Sequence, residues 1–157
     1  HSSEFDRRIS IEVAGNAPHA CVYADDEQIR QVFLNLIMNA CEAMDGGGRL
    51  AIRIDGVMKT LREGGCSEEC VSIDFENTGP AIPEDVLPHV FEPFYTTKEG
   101  GTGLGLAIVA RIVESHNGHV RVTSAEDRGV RFTIALPVCA EAGRTGEETF
   151  QEEFISF

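Results

Sequence analysis

Basic side chains are scarce. The 157-residue chain carries 13 Lys and Arg against 26 Asp and Glu, for a formal net charge of -13. A nucleic-acid partner needs a positive footprint to displace its counterions, so this balance excludes one. It argues equally against contact with an anionic membrane. Long apolar runs are missing too, and nothing approaches the ~20 residues of a bilayer span. No leader-like pattern opens the chain. Five cysteines (Cys21, Cys41, Cys66, Cys70 and Cys139) are too irregular and too odd in number for a disulfide framework. Cys21 in an apolar strand and Cys41 in a helix read as small hydrophobes. Cys66 and Cys70 bracket Ser-Glu-Glu in an expected loop and lack the two further ligands of a structural metal site. A reduced, cytoplasmic compartment is the expectation. Internal repeats are absent, as is a Walker Gly-Lys-Ser/Thr run.

What is present suits one globular domain: 42% of residues are hydrophobic. "RISIEV" (residues 8–13) alternates like a half-buried strand, and "ACVYA" reads as a short one. Asp25 or Asp26 can cap a helix running to about Met44. Its residues Ile29, Val32, Phe33, Leu36, Ile37, Ala40 and Met44 share one face. "DGGG" ends it. "RLAIRIDG" and "CVSIDFEN" are strands expected to pair antiparallel across a polar connection over roughly 56–69. A short helical piece is expected near Glu84–Leu87. A helix over about Gly103–Ser115 is apolar almost all round and should be well buried. "HVRVTS" and "VRFTIALP" form a hairpin. Strands and helices do not alternate as βαβ units, which favours an α+β fold. The acidic tail, 139–157, differs in composition. It reads as frayed, or as a short helix with Phe150, Phe154 and Phe157 on one face.

Four stretches carry chemistry. Asn35 and Asn39 lie one turn apart on a polar row that Glu42 extends. Amide oxygens in that arrangement suit a magnesium ion, which keeps waters and takes one or two protein oxygens plus phosphate oxygens. "NTGPAIP" (77–83) is a strand-to-turn break where Gly79 and Pro80 let the backbone approach a flat group and Asn77 offers both an acceptor and donors. "GGTGLGL" (100–106) opens an apolar helix, and the free N–H groups of a helix start attract anions such as a triphosphate. Lys98 adds a point charge just upstream. "FEPFYTTK" (91–98) looks like an aromatic anchor for a glycine-hinged lid.

Order and spacing together resemble the ATP-binding catalytic domain of sensor histidine kinases, within the gyrase, Hsp90, histidine kinase and MutL superfamily. "NLIMNACEAM" resembles the asparagine box, "NTGPAIP" the first glycine box, "FEPF" the phenylalanine box and "GTGLGL" the second glycine box. "NACEAM" and "FYTTK" are most similar to the nitrogen-regulation branch. The match covers about residues 5–137.

The resemblance implies a two-layer sandwich of the Bergerat type. A mixed, mostly antiparallel five-stranded sheet is backed by about three helices over 1–138, and 139–157 form the tail. It implies ATP and Mg2+, with Asn39 as the magnesium ligand and Asn35 and Lys98 near the phosphates. Glu42 and Ala43 of the long helix would line the site, with Asn77, Gly79, Ala81 and Ile82 around the base. Phe91, Thr97 and Lys98 would follow from the lid. Gly101, Thr102, Gly103, Leu104, Gly105 and Leu106 would line the phosphates, and Val130 would close the base end. It implies transfer of the γ-phosphoryl to a histidine on a separate dimerisation and phosphoacceptor domain of the same kinase, then to a response regulator receiver domain.

The first glycine box departs from the usual Asp-x-Gly-x-Gly. Asn77 replaces the aspartate that accepts from the adenine amino group, Ala81 replaces a glycine, and Val130 stands where threonine is frequent. Charged hydrogen bonds contribute about 1.5–3 kcal/mol and neutral ones about 0.5–1.5. The expected consequence is weaker ATP binding or a base selectivity relaxed toward GTP. A non-catalytic nucleotide-binding scaffold is the alternative reading. Asn35 stands where hydrolysing members of the superfamily carry a glutamate base, so little intrinsic ATPase activity is expected. The phosphoacceptor box appears nowhere in the chain.

Overall fold

The computed structural model describes residues 9–15, 20–61, 67–98, 100–139 and 154–156, by backbone alone for 56–61, 67–68 and 154–156. In chain order they form β1 (Ile9–Gly15), β2 (Cys21–Tyr23), α1 (Asp26–Ala43), β3 (Gly48–Leu61), β4 (Ser67–Asn77), a 3-10 turn (Leu87–His89), α2 (Gly105–Ser115), β5 (His119–Ala125), β6 (Gly129–Pro137) and β7 (Phe154–Ser156). The main sheet runs β1-β3-β4-β6-β5. β1 is parallel to β3, and the other pairs are antiparallel. This is the expected α+β sandwich. Among the described residues the expected third helix is only the 3-10 turn.

β4 and β6 explain the layering. Their register sets Val71 opposite Leu136, Ile73 opposite Ile134 and Phe75 opposite Phe132. All six are buried and face the helices, each worth about 1.5–3 kcal/mol of transfer energy when fully buried. The other face is polar. Thr133 Oγ1 donates to Asp74 Oδ1 at 2.6 Å, and Arg131 Nε donates to Glu76 Oε2 at 2.7 Å. The hydrogen bond to Glu76 raises the Arg131 pKa above its ordinary value.

Asp25 caps α1, its side chain accepting from Gln28 N–H at 3.0 Å. Losing such a cap costs about 1 kcal/mol. Ile29, Val32, Leu36 and Ala40 are buried, and the Phe33 ring stands edge-on to Phe75 with centroids 5.4 Å apart. His116 ties the helices together. Its Nε2 accepts from Asp25 N–H at 3.0 Å, while Nδ1 lies 2.8 Å from Ile112 O. An acceptor at Nε2 assigns the proton to Nδ1.

The structure corrects several sequence expectations. The connection expected over 56–69 is mostly strand. β3 and β4 stay paired to Leu61 and Ser67, past a register shift between Asp55 and Val57. Cys70 lies buried in β4, which extends back through Ser67 of the expected loop, and Cys66 falls outside the described residues. β1 forms, but as an edge strand whose Ile11 and Val13 are exposed, because β3 covers it from one side only. β2 leaves the main sheet and pairs antiparallel with β7. Over Phe154–Ser156 the tail is thus a strand and not a helix, while Phe150 and Phe157 lie outside the described residues. α2 begins at Gly105 and buries Val109, Ile112 and Val113 fully. Leu106, Ala107, Ile108 and Ala110 are only half-buried, so its all-round apolar character overstated its burial.

Candidate functional site

The strands and helices deliver the singled-out residues to one region in two groups. The first lies at the end of the sheet. Asn77 ends β4 opposite Val130, and the two are 1% and 3% exposed. Asn77 Oδ1 accepts from Gly79 N–H at 2.9 Å, an Asx turn of the kind that bends a strand end. A Cβ on Gly79 would sit 2.8 Å from that oxygen and 3.2 Å from Ala43 O, so only glycine lets this turn lie against the end of α1. Gly129, at φ +79, is as constrained, since a Cβ there would lie 2.0 Å from Asn77 O. Ala81 and Ile82 are half-buried beside this group.

Two residues that sequence reading missed fasten the turn. Ser124 Oγ accepts from Ile82 N–H at 2.8 Å. Thr78 Oγ1 accepts from Arg49 N–H at 2.9 Å, and Thr78 N–H donates to Arg49 O at 3.1 Å. Thr78 stands beside Asn77 in the turn, but nothing local in the sequence marks Ser124 or Arg49 as its neighbours.

The second group lies between the helices. Asn35 Nδ2 donates to Gly105 O at 3.3 Å, so the polar row of α1 meets the first residue of α2. Lys98 Nζ donates to Asn39 Oδ1 at 3.3 Å and forms an ion pair with Glu42. No side chain caps α2 at Leu104, which leaves first-turn N–H groups for an anion. Gly105 has no heavy atom within 4 Å of where a Cβ would stand, so its bareness keeps space open that the protein does not fill. Gly101 N–H donates to Lys98 O at 3.2 Å, and Thr102 Oγ1 accepts from Leu104 N–H at 3.4 Å. Thr97 is exposed, and its neighbour Thr96 holds the Lys98 N–H at 3.0 Å. Leu106 packs against the core.

The aromatic anchor is half of what the sequence suggested. Phe91 packs edge-on against Phe132, centroids 6.1 Å apart. Phe94 is 78% exposed and has φ +67. Its N–H donates to Gly103 O at 3.0 Å. Gly103, at φ +68, could not carry a Cβ, which would fall 2.5 Å from the Phe94 carbonyl carbon. The phenylalanine and second glycine stretches are therefore one backbone-clasped unit.

Would the residues fit a divalent cation? The Asn39 oxygen and the Glu42 carboxylate already hold a cationic group, the Lys98 ammonium. Among the described residues no three His, Cys, Asp or Glu side chains gather into a metal cage. The donor set therefore suits an ion that brings its remaining ligands with it, as magnesium does with phosphate and water.

A buried sheet end with one polar amide, a glycine-opened helix start and an oxygen-bearing helix face thus stand together on one α+β sandwich. The chain belongs to the histidine kinase-, DNA gyrase B- and HSP90-like ATPase family, whose model matches residues 24–140. It is similar to the sensory histidine kinase/phosphatase NtrB of Rhodobacter capsulatus, 43% identical over 73% of this chain and 33% of that protein. It is similar also to the sensor histidine kinase ZraS of Escherichia coli O157:H7, 39% identical over 84% of this chain and 27% of that protein. The chain thus spans about a third or less of these relatives. Among solved structures, the catalytic domain of histidine kinase ThkA superposes with a TM-score of 0.68 at 32% identity, covering 86% of this chain and 81% of that one. Full-length ShkA in complex with AMPPNP gives 0.66 at 30% identity, over 86% and 27%. ThkA in complex with the response regulator protein TrrA gives 0.66 at 29% identity, over 86% and 35%.

Proposed function

We propose that this chain is the ATP-binding catalytic domain of a two-component sensor histidine kinase. It presents the γ-phosphoryl of ATP to a histidine on a separate dimerisation and phosphoacceptor domain of the same kinase, and a response regulator receiver domain then takes the group. The observation that carries the reading is the meeting of the α1 row with the uncapped start of α2, through Asn35 and Gly105. It supplies amide oxygens and helix N–H groups side by side. The kinase relatives, the AMPPNP complex of ShkA and the ThkA–TrrA complex support it. We take residues 1–138 as the catalytic unit and 139–157 as its tail. A cytoplasmic setting, where ATP and receiver domains meet, goes with this reading.

In this assignment the base enters the end bounded by Asn77, Gly79, Ala81, Ile82 and Val130. The phosphates lie toward Gly101, Thr102, Gly103, Leu104 and Gly105. Asn39 holds Mg2+, which when bound offsets negative charge on the phosphate oxygens. Asn35 keeps the α2 start in place through Gly105. Lys98 must exchange Glu42 and Asn39 for a phosphate oxygen, a swing its four-carbon side chain can make. With Asn35 at the position one turn before Asn39, no carboxylate there can deprotonate water, so transfer to an acceptor is favoured over hydrolysis.

The test is calorimetric titration with a non-hydrolysable ATP analogue in Mg2+, followed by incubation with labelled ATP and a supplied phosphoacceptor domain. Saturable binding and an acid-labile, base-stable phosphoryl label on that domain are expected. Failure of the chain to bind the analogue would remove the reading. So would rapid release of phosphate with no acceptor present.

A further inference from the structure

At the sheet end the Asn77 side chain is 1% exposed. Its oxygen is committed to Gly79 N–H at 2.9 Å, and that commitment orients the amide. Turned the other way, the NH2 group would face the Gly79 N–H, donor against donor. Among the described residues Nδ2 has no hydrogen-bond partner, so the group left over at this buried end is a donor that lacks an acceptor. Buried donors are costly to leave unmade, and the natural source of an acceptor here is the ligand.

A carboxylate at this position would behave differently. It has two acceptor oxygens, one for Gly79 N–H and one for an amino group on the base. An amide has one oxygen, and its other arm only donates. Adenine presents a 6-amino donor at its edge, whereas hypoxanthine and guanine present a 6-oxo acceptor. The neighbours offer little in its place, since Ala81 is apolar, Val130 has no hydroxyl, and Ser124 Oγ spends one of its two lone pairs on the Ile82 N–H at 2.8 Å. Adenine must then share Oδ1 with Gly79 N–H, while a 6-oxopurine meets Nδ2 directly.

We propose that Asn77 is the residue that sets purine selectivity in this chain, and that it admits 6-oxopurine nucleoside triphosphates alongside ATP. The inference rests on the nucleotide reading above and adds the class of base. Inosine triphosphate is the sharper probe, because it differs from ATP at positions 6 and 1 without the 2-amino group of guanine.

The experiment titrates the chain with ATP, ITP and GTP in Mg2+, in the native form and as Asn77→Asp. The quantity read is the ratio of ITP to ATP dissociation constants within each protein, which a partly unfolded preparation does not distort. Because a hydrogen-bonding site rejects a mismatched edge strongly, we expect a native ratio below about tenfold and a rise of about fivefold or more on Asn77→Asp. A native preference for ATP above about tenfold, or a ratio unmoved by the substitution, overturns the proposal while leaving the nucleotide reading intact. Should Asn77→Asp fail to fold, the native ratio alone decides. Absence of binding by all three nucleotides overturns both.

Discussion

The two ends of the proposed nucleotide site are built by different means. The base end is the termination of the sheet. Asn77 and Val130 face each other in register, both buried, and two glycines hold the turn where no other residue fits. The phosphate end is assembled from exposed parts: Glu42, Lys98, Thr97, Gly101 and Thr102 are all exposed. What joins them is a surface ion pair and long hydrogen bonds. A sheet end is as rigid as the core behind it, whereas exposed ion pairs contribute only about 0–1 kcal/mol and exchange readily. On the proposed assignment, one end would select and the other would adapt around what has been selected.

Substitutions can break this contrast. The largest effect is expected from Asn39→Ala, which removes the oxygen assigned to magnesium. Phosphotransfer in trans should fall by about 100-fold or more, since even outer partners of a metal ligand are worth 10–100-fold. The thermal midpoint should move little, because Asn39 is only half-buried. Gly129→Ala should strike the base end through the fold. With φ at +79 and a Cβ 2.0 Å from Asn77 O, it should destabilise the domain by about 2 kcal/mol or more, read as a lower denaturant midpoint. Gly105→Ala separates binding from folding. The protein leaves that space open, and alanine suits a helix better by about 0.5–1 kcal/mol. Stability should hold or rise while nucleotide affinity drops. The smallest effect is Glu42→Gln. It frees Lys98 at a stability cost within about 1 kcal/mol. Nucleotide affinity should rise and become more dependent on salt, because the freed Lys98 attracts phosphate without an opposing carboxylate, as measured by titration at two ionic strengths.

Much of this is legible in the sequence. A cap at Asp25 or Asp26, the apolar stripe of α1, the alternation of β6 and the glycines at 79 and 103 all express themselves within a few residues. So do Asn35 and Asn39, whose common face follows from helical spacing alone. What escaped the sequence depends on partners far along the chain. The exposure of Ile11 and Val13 follows from the edge position of β1, not from its own pattern. β2 reads as a strand, but its pairing with β7 cannot be found from either segment. The length of the β3–β4 hairpin was hidden because residues 56–69 are polar, and a two-stranded extension needs no apolar core to pair its backbone. Phe94 looked like Phe91 in sequence, yet a positive φ beside Gly103 turns it outward.

The hydrogen bond from Ile82 to Ser124 has a further consequence, in time. It closes a loop of 42 residues, and the Asn77–Val130 pairing closes a longer one. Non-local contacts form late because loop closure must precede them. The pocket for the base should therefore mature only when the β5–β6 hairpin docks on β4, after α1 and its own polar row have formed. A chain caught midway would have its magnesium-facing helix but nowhere to seat a purine, so nucleotide binding during refolding should report the final docking step.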